Sequence, residues 1–235
     1  MLTFDPENRM TAYGSVMTAG YNGDGLRAWK QTSSGRTYFL YDGVVPVVEL
    51  DAAGLIISTN TFGAAGLISR RSDGRSAFYT FDSEGNVSQR LDDRGDALST
   101  HLFNAHGEVL GDSLNDPFGY KGQFGYYSDN ETGLQLLTHR YYDPSRGRFL
   151  TRDPISYGGG INLYSYVANN AINSIDPFGL TRLKFYISTG TLVVITNEGY
   201  RYYIRATSGK GDATNDPRRT RGSIHRIDTG GSVLH

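Results

Sequence analysis

Phe81-Asp82-Ser83-Glu84-Gly85-Asn86-Val87 reads as a tight turn with a strand on either side. The residues before it, Ala77-Phe78-Tyr79-Thr80-Phe81, alternate side to side as a strand does. An Asp in the first turn position can bond its own backbone two residues on, and a Gly accepts the positive φ that other residues resist. Four further stretches repeat the pattern: Tyr21-Asn22-Gly23-Asp24-Gly25, Tyr41-Asp42-Gly43, Phe62-Gly63-Ala64-Ala65-Gly66 and Phe103-Asn104-Ala105-His106-Gly107. From one aromatic to the next the steps are 20, 21, 19 and 22 residues. One hairpin cannot cover its own apolar face, so units with this period must stack edge to edge. The expectation is a mainly β chain built on an open antiparallel sheet of hairpins.

Composition agrees. In 235 residues there are 30 Gly, 17 Tyr, 11 Phe and no Cys, with 38% apolar content and a mean hydropathy of −0.42. Without Cys there is no disulfide framework, no thiolate metal site and no cysteine nucleophile. No window approaches eighteen apolar residues, so no membrane span is expected, and the start at Met1-Leu2-Thr3-Phe4-Asp5-Pro6 has no secretory signal pattern.

The net charge of −1 conceals an asymmetry. Residues 1–180 hold 14 basic and 20 acidic side chains, whereas residues 181–235 hold 9 and 4. A switch from −6 to +5 at one point suggests two modules, the second facing an anionic partner or simply presenting a solvated surface.

Between them lies a segment dense in Tyr and in Asp-Pro pairs: His139-Arg140-Tyr141-Tyr142-Asp143-Pro144, Gly147-Arg148-Phe149, Asp153-Pro154 and Asp176-Pro177-Phe178-Gly179-Leu180. Asp-Pro is a turn former by default. Asp153 and Asp176, however, close loops at either end of an apolar, Tyr-rich stretch that should be buried. Two carboxylates close together in a low-dielectric site cannot both ionise easily, so one retains a proton while the other serves as base. That division underlies aspartic-type peptide hydrolysis. His139 is read as structural. The apolar spacing within Asn162 to Asn173 predicts a short helix, and the glycine run 158–160 lacks the Lys and Ser/Thr of a phosphate loop.

These motifs resemble those of the Rhs and teneurin-like YD-repeat polymorphic toxins. Tyr41-Asp42 matches the dipeptide that names the repeat, and 81–87 is a close variant. The run from Arg140-Tyr141-Tyr142-Asp143-Pro144 through Asn162-Leu163-Tyr164-Ser165-Tyr166-Val167-Ala168-Asn169-Asn170 to Asp176-Pro177-Phe178-Gly179-Leu180 resembles the Rhs repeat-associated core, block by block and in order. The resemblance implies a spiral β shell. It further implies that the core cuts its own chain once, between Leu180 and Thr181, with Asp153, Asp176 and Arg140 as the residues needed. The arginine would orient one carboxylate or hold the scissile carbonyl. No cofactor and no metal are implied.

Beyond Leu180 the pattern changes. Leu183–Ile187, Thr191–Ile195 and Tyr200–Arg205 read as three strands with Gly-bearing turns, a small antiparallel meander. Fifty-five residues seldom fold alone, so 181–235 is expected to be the truncated start of a variable C-terminal toxin, separable from the repeats and drawn to them mainly by charge. Ala206–Gly211 and the loop at 215–217 resemble L,D-transpeptidase effectors, but those need a Cys that is not here. A nuclease is suggested by Arg218, Arg219, Arg221, His225 and Arg226, without an assembled base or metal-ligand set. The expected organisation is thus 1–119 YD-type repeats, 120–180 self-processing core and 181–235 toxin start. The expected partner is the chain's own toxin region, with an immunity protein and secretion machinery implied by the resemblance. Nucleic acid is not expected as a partner of 1–180 and stays open for 181–235. The full-length protein is expected to be secreted or cell-surface. The competing class is a non-catalytic β-repeat scaffold for adhesion or carbohydrate binding, in which the Asp-Pro pairs only turn the chain.

Overall fold

The computed structural model describes residues 1–111, 115–154 and 161–180 in full, together with the backbone of three strands between 182 and 205. Eleven of the strands form one meander. They are β1 (Leu2–Phe4), β2 (Met10–Tyr13), β3 (Met17–Tyr21), β4 (Arg27–Thr32), β5 (Gly35–Asp42) and β6 (Val45–Leu50), followed by β7 (Ile56–Gly63), β8 (Gly66–Ser72), β9 (Arg75–Phe81), β10 (Val87–Leu91) and β11 (Ala97–Thr100). Each is hydrogen-bonded to the next in chain order, leaving β1 and β11 as the edges of an open antiparallel sheet.

The turns explain the period. Asp82 Oδ1 accepts from the backbone N–H of Glu84 and Asn86, both at 2.9 Å, while Gly85 sits at φ +82°. Asn22 and Asn104 make the same pair of bonds, to Asp24 and Leu26 and to His106 and Glu108. So do Asp51 and Asp92, which follow a leucine rather than an aromatic. A turn therefore comes after every strand, and the aromatic marks about one in two. Tyr41-Asp42 and Phe62-Gly63 instead lead into two-residue loops, with Asp42 opposite Val45 and Gly63 opposite Gly66. At Tyr21, Tyr41 and Phe62 the strand register shifts as the aromatic is reached, a bulge that twists the ladder before the turn. Two of these rings tie back to the preceding strand, Tyr21 Oη donating to the Met10 carbonyl and Tyr41 Oη to that of Arg27.

A second sheet lies on one face of the meander: β12 (Tyr127–Asp129), β13 (Leu134–Leu137), β14 (Arg140–Asp143) and β15 (Arg148–Phe149), again in chain order. Its side chains are buried on both faces. Leu136 and Tyr141 pack with Met10, Met17, Phe39, Leu67, Tyr79 and Val87 of the first sheet. Leu137 and Tyr142, one residue further along, join Tyr120, Tyr126, Phe149 and Tyr166 in a separate cluster of rings. The period-2 alternation thus serves two cores at once. Ahead of this sheet a 3-10 turn, Gly122–Phe124, presses against the meander where Gly66 and Gly85 leave room. A Cβ on Gly66 would lie 2.0 Å from the Gln123 carbonyl oxygen.

Two expectations change here. The short helix expected within 162–173 is only a three-residue turn, Val167–Asn169, with φ of 41°, 54° and 60°. Val167 and Ala171 reach the ring cluster from this left-handed turn, so the apolar spacing reflects burial rather than helical period. The strands after Leu180 are found, as β17 (Arg182–Tyr186), β18 (Thr191–Ile195) and β19 (Arg201–Arg205), but they are not detached from what precedes them. Within the core segment β16 (Ser174–Ile175) pairs antiparallel with β17, Ile175 opposite Leu183, so one backbone ladder crosses the change in composition at Leu180. The glycine run 158–160, Thr181 and the Arg-rich stretch 218–226 lie outside the described residues.

Candidate functional site

Arg140 opens β14 directly after a two-residue turn, where Thr138 takes φ +50° and Leu137 on β13 faces Arg140 across the ladder. That position drives the side chain inward, and Arg140 is 4% exposed. Its guanidinium carbon lies 3.6 Å from the centre of the Phe149 ring, so the ring face fixes the plane of the fork. From there the fork makes three contacts. Nε donates to the Gly179 carbonyl. Nη2 reaches Asp153 Oδ2 at 3.0 Å and Asp176 Oδ2 at 3.3 Å. Nη1 is buried and has no hydrogen-bond partner among the described residues. Burial pulls the Arg140 pKa below its ordinary value against the opposing pull of Asp176 and Asp153.

The two carboxylates arrive by different routes. Asp153 is set by its own backbone, whose N–H donates to the Leu163 carbonyl at 2.8 Å. Asp176 is held by Tyr126, whose buried hydroxyl accepts from the Asp176 N–H at 3.0 Å and donates to its carbonyl at 2.9 Å. The Tyr166 hydroxyl lies 3.0 Å from that of Tyr126. Burial, with Asp176 adding to it, keeps the Tyr126 phenol protonated well above its usual range. The other oxygen of the Asp176 carboxylate, Oδ1, accepts from the Leu180 N–H at 3.0 Å.

Residues 176–180 therefore form a strap laid across the turn between β13 and β14. Thr138 Oγ1 donates to the Pro177 carbonyl at 3.1 Å. Gly179 is required at its place: φ is +67°, and a Cβ would stand 2.6 Å from the Leu137 carbonyl oxygen and 3.2 Å from the Arg140 backbone nitrogen. Beside the strap opens a cleft of about 310 Å³, whose lining includes Arg9, His139, Arg140, Arg152, Pro154 and Leu180.

Arg140, Asp153 and Asp176 are thus together, with the Leu180 amide on one of the carboxylates. Asp143, of the Asp-Pro pair at 143–144, is elsewhere and makes a turn: its Oδ1 accepts from the Ser145 N–H at 3.0 Å and from the Ser145 hydroxyl at 2.6 Å. His139 is half-buried against the Gly25 turn, and burial lowers its pKa. Sequence reasoning missed Tyr126, Tyr166 and Thr138. Of the strap only Asp176 and Leu180 were marked in advance, and nothing local distinguishes Tyr126 from the other sixteen tyrosines. Among the described residues no cluster of three metal-ligating side chains occurs, and no helix is long and apolar enough to cross a membrane.

No family model matches the chain. It is 31% identical over 195 residues to the tRNA3(Ser)-specific nuclease WapA of Bacillus spizizenii, covering 75% of this chain and 8% of that protein. To toxin protein Tse5 of Pseudomonas aeruginosa it is 30% identical over 152 residues, 59% of this chain and 11% of Tse5. The crystal structure of TcdB2-TccC3 without its hypervariable C-terminal region superposes with a TM-score of 0.58 at 21% identity, over 76% of this chain and 10% of that one. Homologues of this chain are Rhs/YD-repeat polymorphic toxins, and its antiparallel fold is that of the TcdB2-TccC3 β-sheet shell. The chain spans about a tenth of the length of these curated relatives.

Proposed function

We propose that the chain is part of the shell and the self-processing core of an Rhs-type polymorphic toxin, with 1–119 as repeats, 120–180 as core and 181–235 as the first part of a variable toxin region. The core would hydrolyse the Leu180–Thr181 peptide once, so it is not an enzyme in the turnover sense. The observation that carries this reading is the Asp176 carboxylate, which spans Arg140 and the Leu180 N–H while Asp153 meets the same guanidinium nitrogen. Asp176 thereby fixes the residue on the acyl side of the bond. One carboxylate takes a proton from a water as its oxygen attacks the Leu180 carbonyl carbon, and a carboxylic acid returns a proton to the Thr181 nitrogen as the C–N bond breaks. The products are a Leu180 carboxylate and a Thr181 amine. Arg140 moderates the repulsion between the two acids and orients both.

By analogy with relatives named as nucleases and toxins, the residues beyond Leu180 would lead into a toxic domain that a secreted shell carries, with an immunity protein in the producing cell.

A non-catalytic scaffold is the second reading, and one observation favours it. Buried Arg–carboxylate pairs occur elsewhere in this fold with no chemistry attached, as at Arg70–Glu49 and Arg27–Asp129. Intact mass of the complete shell-bearing protein separates the two. Under the proposal, wild type yields a fragment ending at Leu180, Asp153→Asn and Asp176→Asn stay whole, and Asp143→Asn cuts normally. Uncut wild type in a complete shell, or equal cutting in all four, overturns it.

A further inference from the structure

We infer that the cleft beside the strap is a carboxylate-binding subsite that keeps the newly made Leu180 carboxylate after the cut. This rests on the proposed self-cleavage and goes beyond it, to the fate of the product. Each bond that holds the strap lies on the Leu180 side of the cut. They are the Tyr126 bonds to Asp176, Thr138 to Pro177, Arg140 Nε to Gly179, and the Leu180 N–H to Asp176. Hydrolysis breaks none of them. The new terminus therefore forms already docked, one residue beyond the carbonyl that Arg140 Nε holds.

The same guanidinium has its Nη1 buried without a partner, a costly state that a carboxylate oxygen relieves. Leu180 lines the cleft together with Arg140, and the cleft also presents Arg9, Arg152 and His139 against Glu7 and Asp24. Arg9 is engaged by Asp5 and Glu7, and Arg152 by the Tyr164 hydroxyl, which leaves Arg140 as the anchor. Asp153 and Asp176 compete for that anchor as like charges. A site occupied by its own product in this way is closed to other peptides, which gives a physical reason for a single turnover.

The test uses the complete protein with its chain stopped after Leu180, which carries the carboxylate whether or not the protein can cut itself. Carboxypeptidase release of Leu180 from the folded protein is compared with release from a free peptide of residues 176–180. We expect release at least about tenfold slower from the protein, faster release in Arg140→Lys, and still slower release in Asp153→Asn, where one competing charge is gone. Release at the peptide's rate overturns the inference. So does slow release that neither variant changes, because the strap alone then protects the end. If circular dichroism shows that Arg140→Lys does not fold, Asp153→Asn decides by itself, unchanged release counting against the subsite. Self-cleavage is judged separately, by the mass of the tail-bearing protein.

Discussion

Arg27 and Asp129, 102 residues apart in the chain, form a salt bridge between the two sheets with their side chains 1% and 0% exposed. Lys30, three residues further along β4, reaches the other Asp129 oxygen at 3.0 Å, and the Tyr141 hydroxyl donates to the first at 2.8 Å. The core segment is thus fastened to the meander by buried charge as well as by rings, and removing one partner strands another. Arg27→Met should lower stability by about 3 kcal/mol, the low end for a broken buried pair because Lys30 remains. The denaturant midpoint, at unchanged slope, reads it.

Acid should loosen the same joint. Burial alone would raise the Asp129 pKa, but Arg27 and Lys30 together bring it below the ordinary carboxylate value, and Arg70 does the same for the buried Glu49. Both folded-state pKa values lie below the unfolded ones. The stability they contribute is therefore present above roughly pH 4 and is lost as pH falls through the folded values. Unfolding midpoints measured from pH 6 down to pH 2 should decline below about pH 4, and Asp129→Asn should flatten that decline.

Gly179→Ala is the sharpest probe of the strap. The added methyl meets the Leu137 carbonyl oxygen and the left-handed φ is strained, so the chain must lift away from Arg140. Self-cleavage should slow by more than about tenfold, with global stability reduced by no more than about 1–3 kcal/mol. Cleavage time courses by mass spectrometry, alongside a melting curve, separate the two effects. Tyr126→Phe should act in the same direction, because it removes the hydroxyl that positions Asp176.

Asp82→Ala should cost about 1–2 kcal/mol, since it deletes two backbone bonds and the contact to the Asn86 amide in one turn. The loss should be local. Hydrogen exchange is expected to rise in β9 and β10 and to stay unchanged at β2 and β3.

Once cut, the two pieces should remain joined through 1 M salt and part in denaturant. The charge asymmetry alone argues for salt-sensitive association, because exposed pairs are screened beyond about 10 Å at 0.1 M salt. The ladder from β16 to β17 argues otherwise, since backbone hydrogen bonds between paired strands are little affected by ionic strength. Size-exclusion chromatography of the cleaved protein at rising salt decides. Separation below 1 M would mean that the charges dominate.

The sequence by itself determined the elements. Asp, Asn and Gly at the hairpin turns act within four residues, so the meander of hairpins could be read from their spacing, as could the three strands beyond Leu180. The resemblance of the core segment to the Rhs repeat-associated core singled out Arg140, Asp153 and Asp176. Only the tertiary structure decided where those elements met. The turns at Asp51 and Asp92 were overlooked because leucine precedes them, and a leucine at a strand end carries no mark of the turn that follows. Asn162–Asn173 was misread as a helix because apolar spacing records burial, and Tyr166, Val167 and Ala171 reach one ring cluster around a left-handed turn without a helix. Tyr126 became the support of Asp176, and Asp129 the anchor of Arg27, through contacts spanning 50 and 102 residues. Such partners are selected by the closure of two sheets on one another, a long-range event to which no local pattern answers.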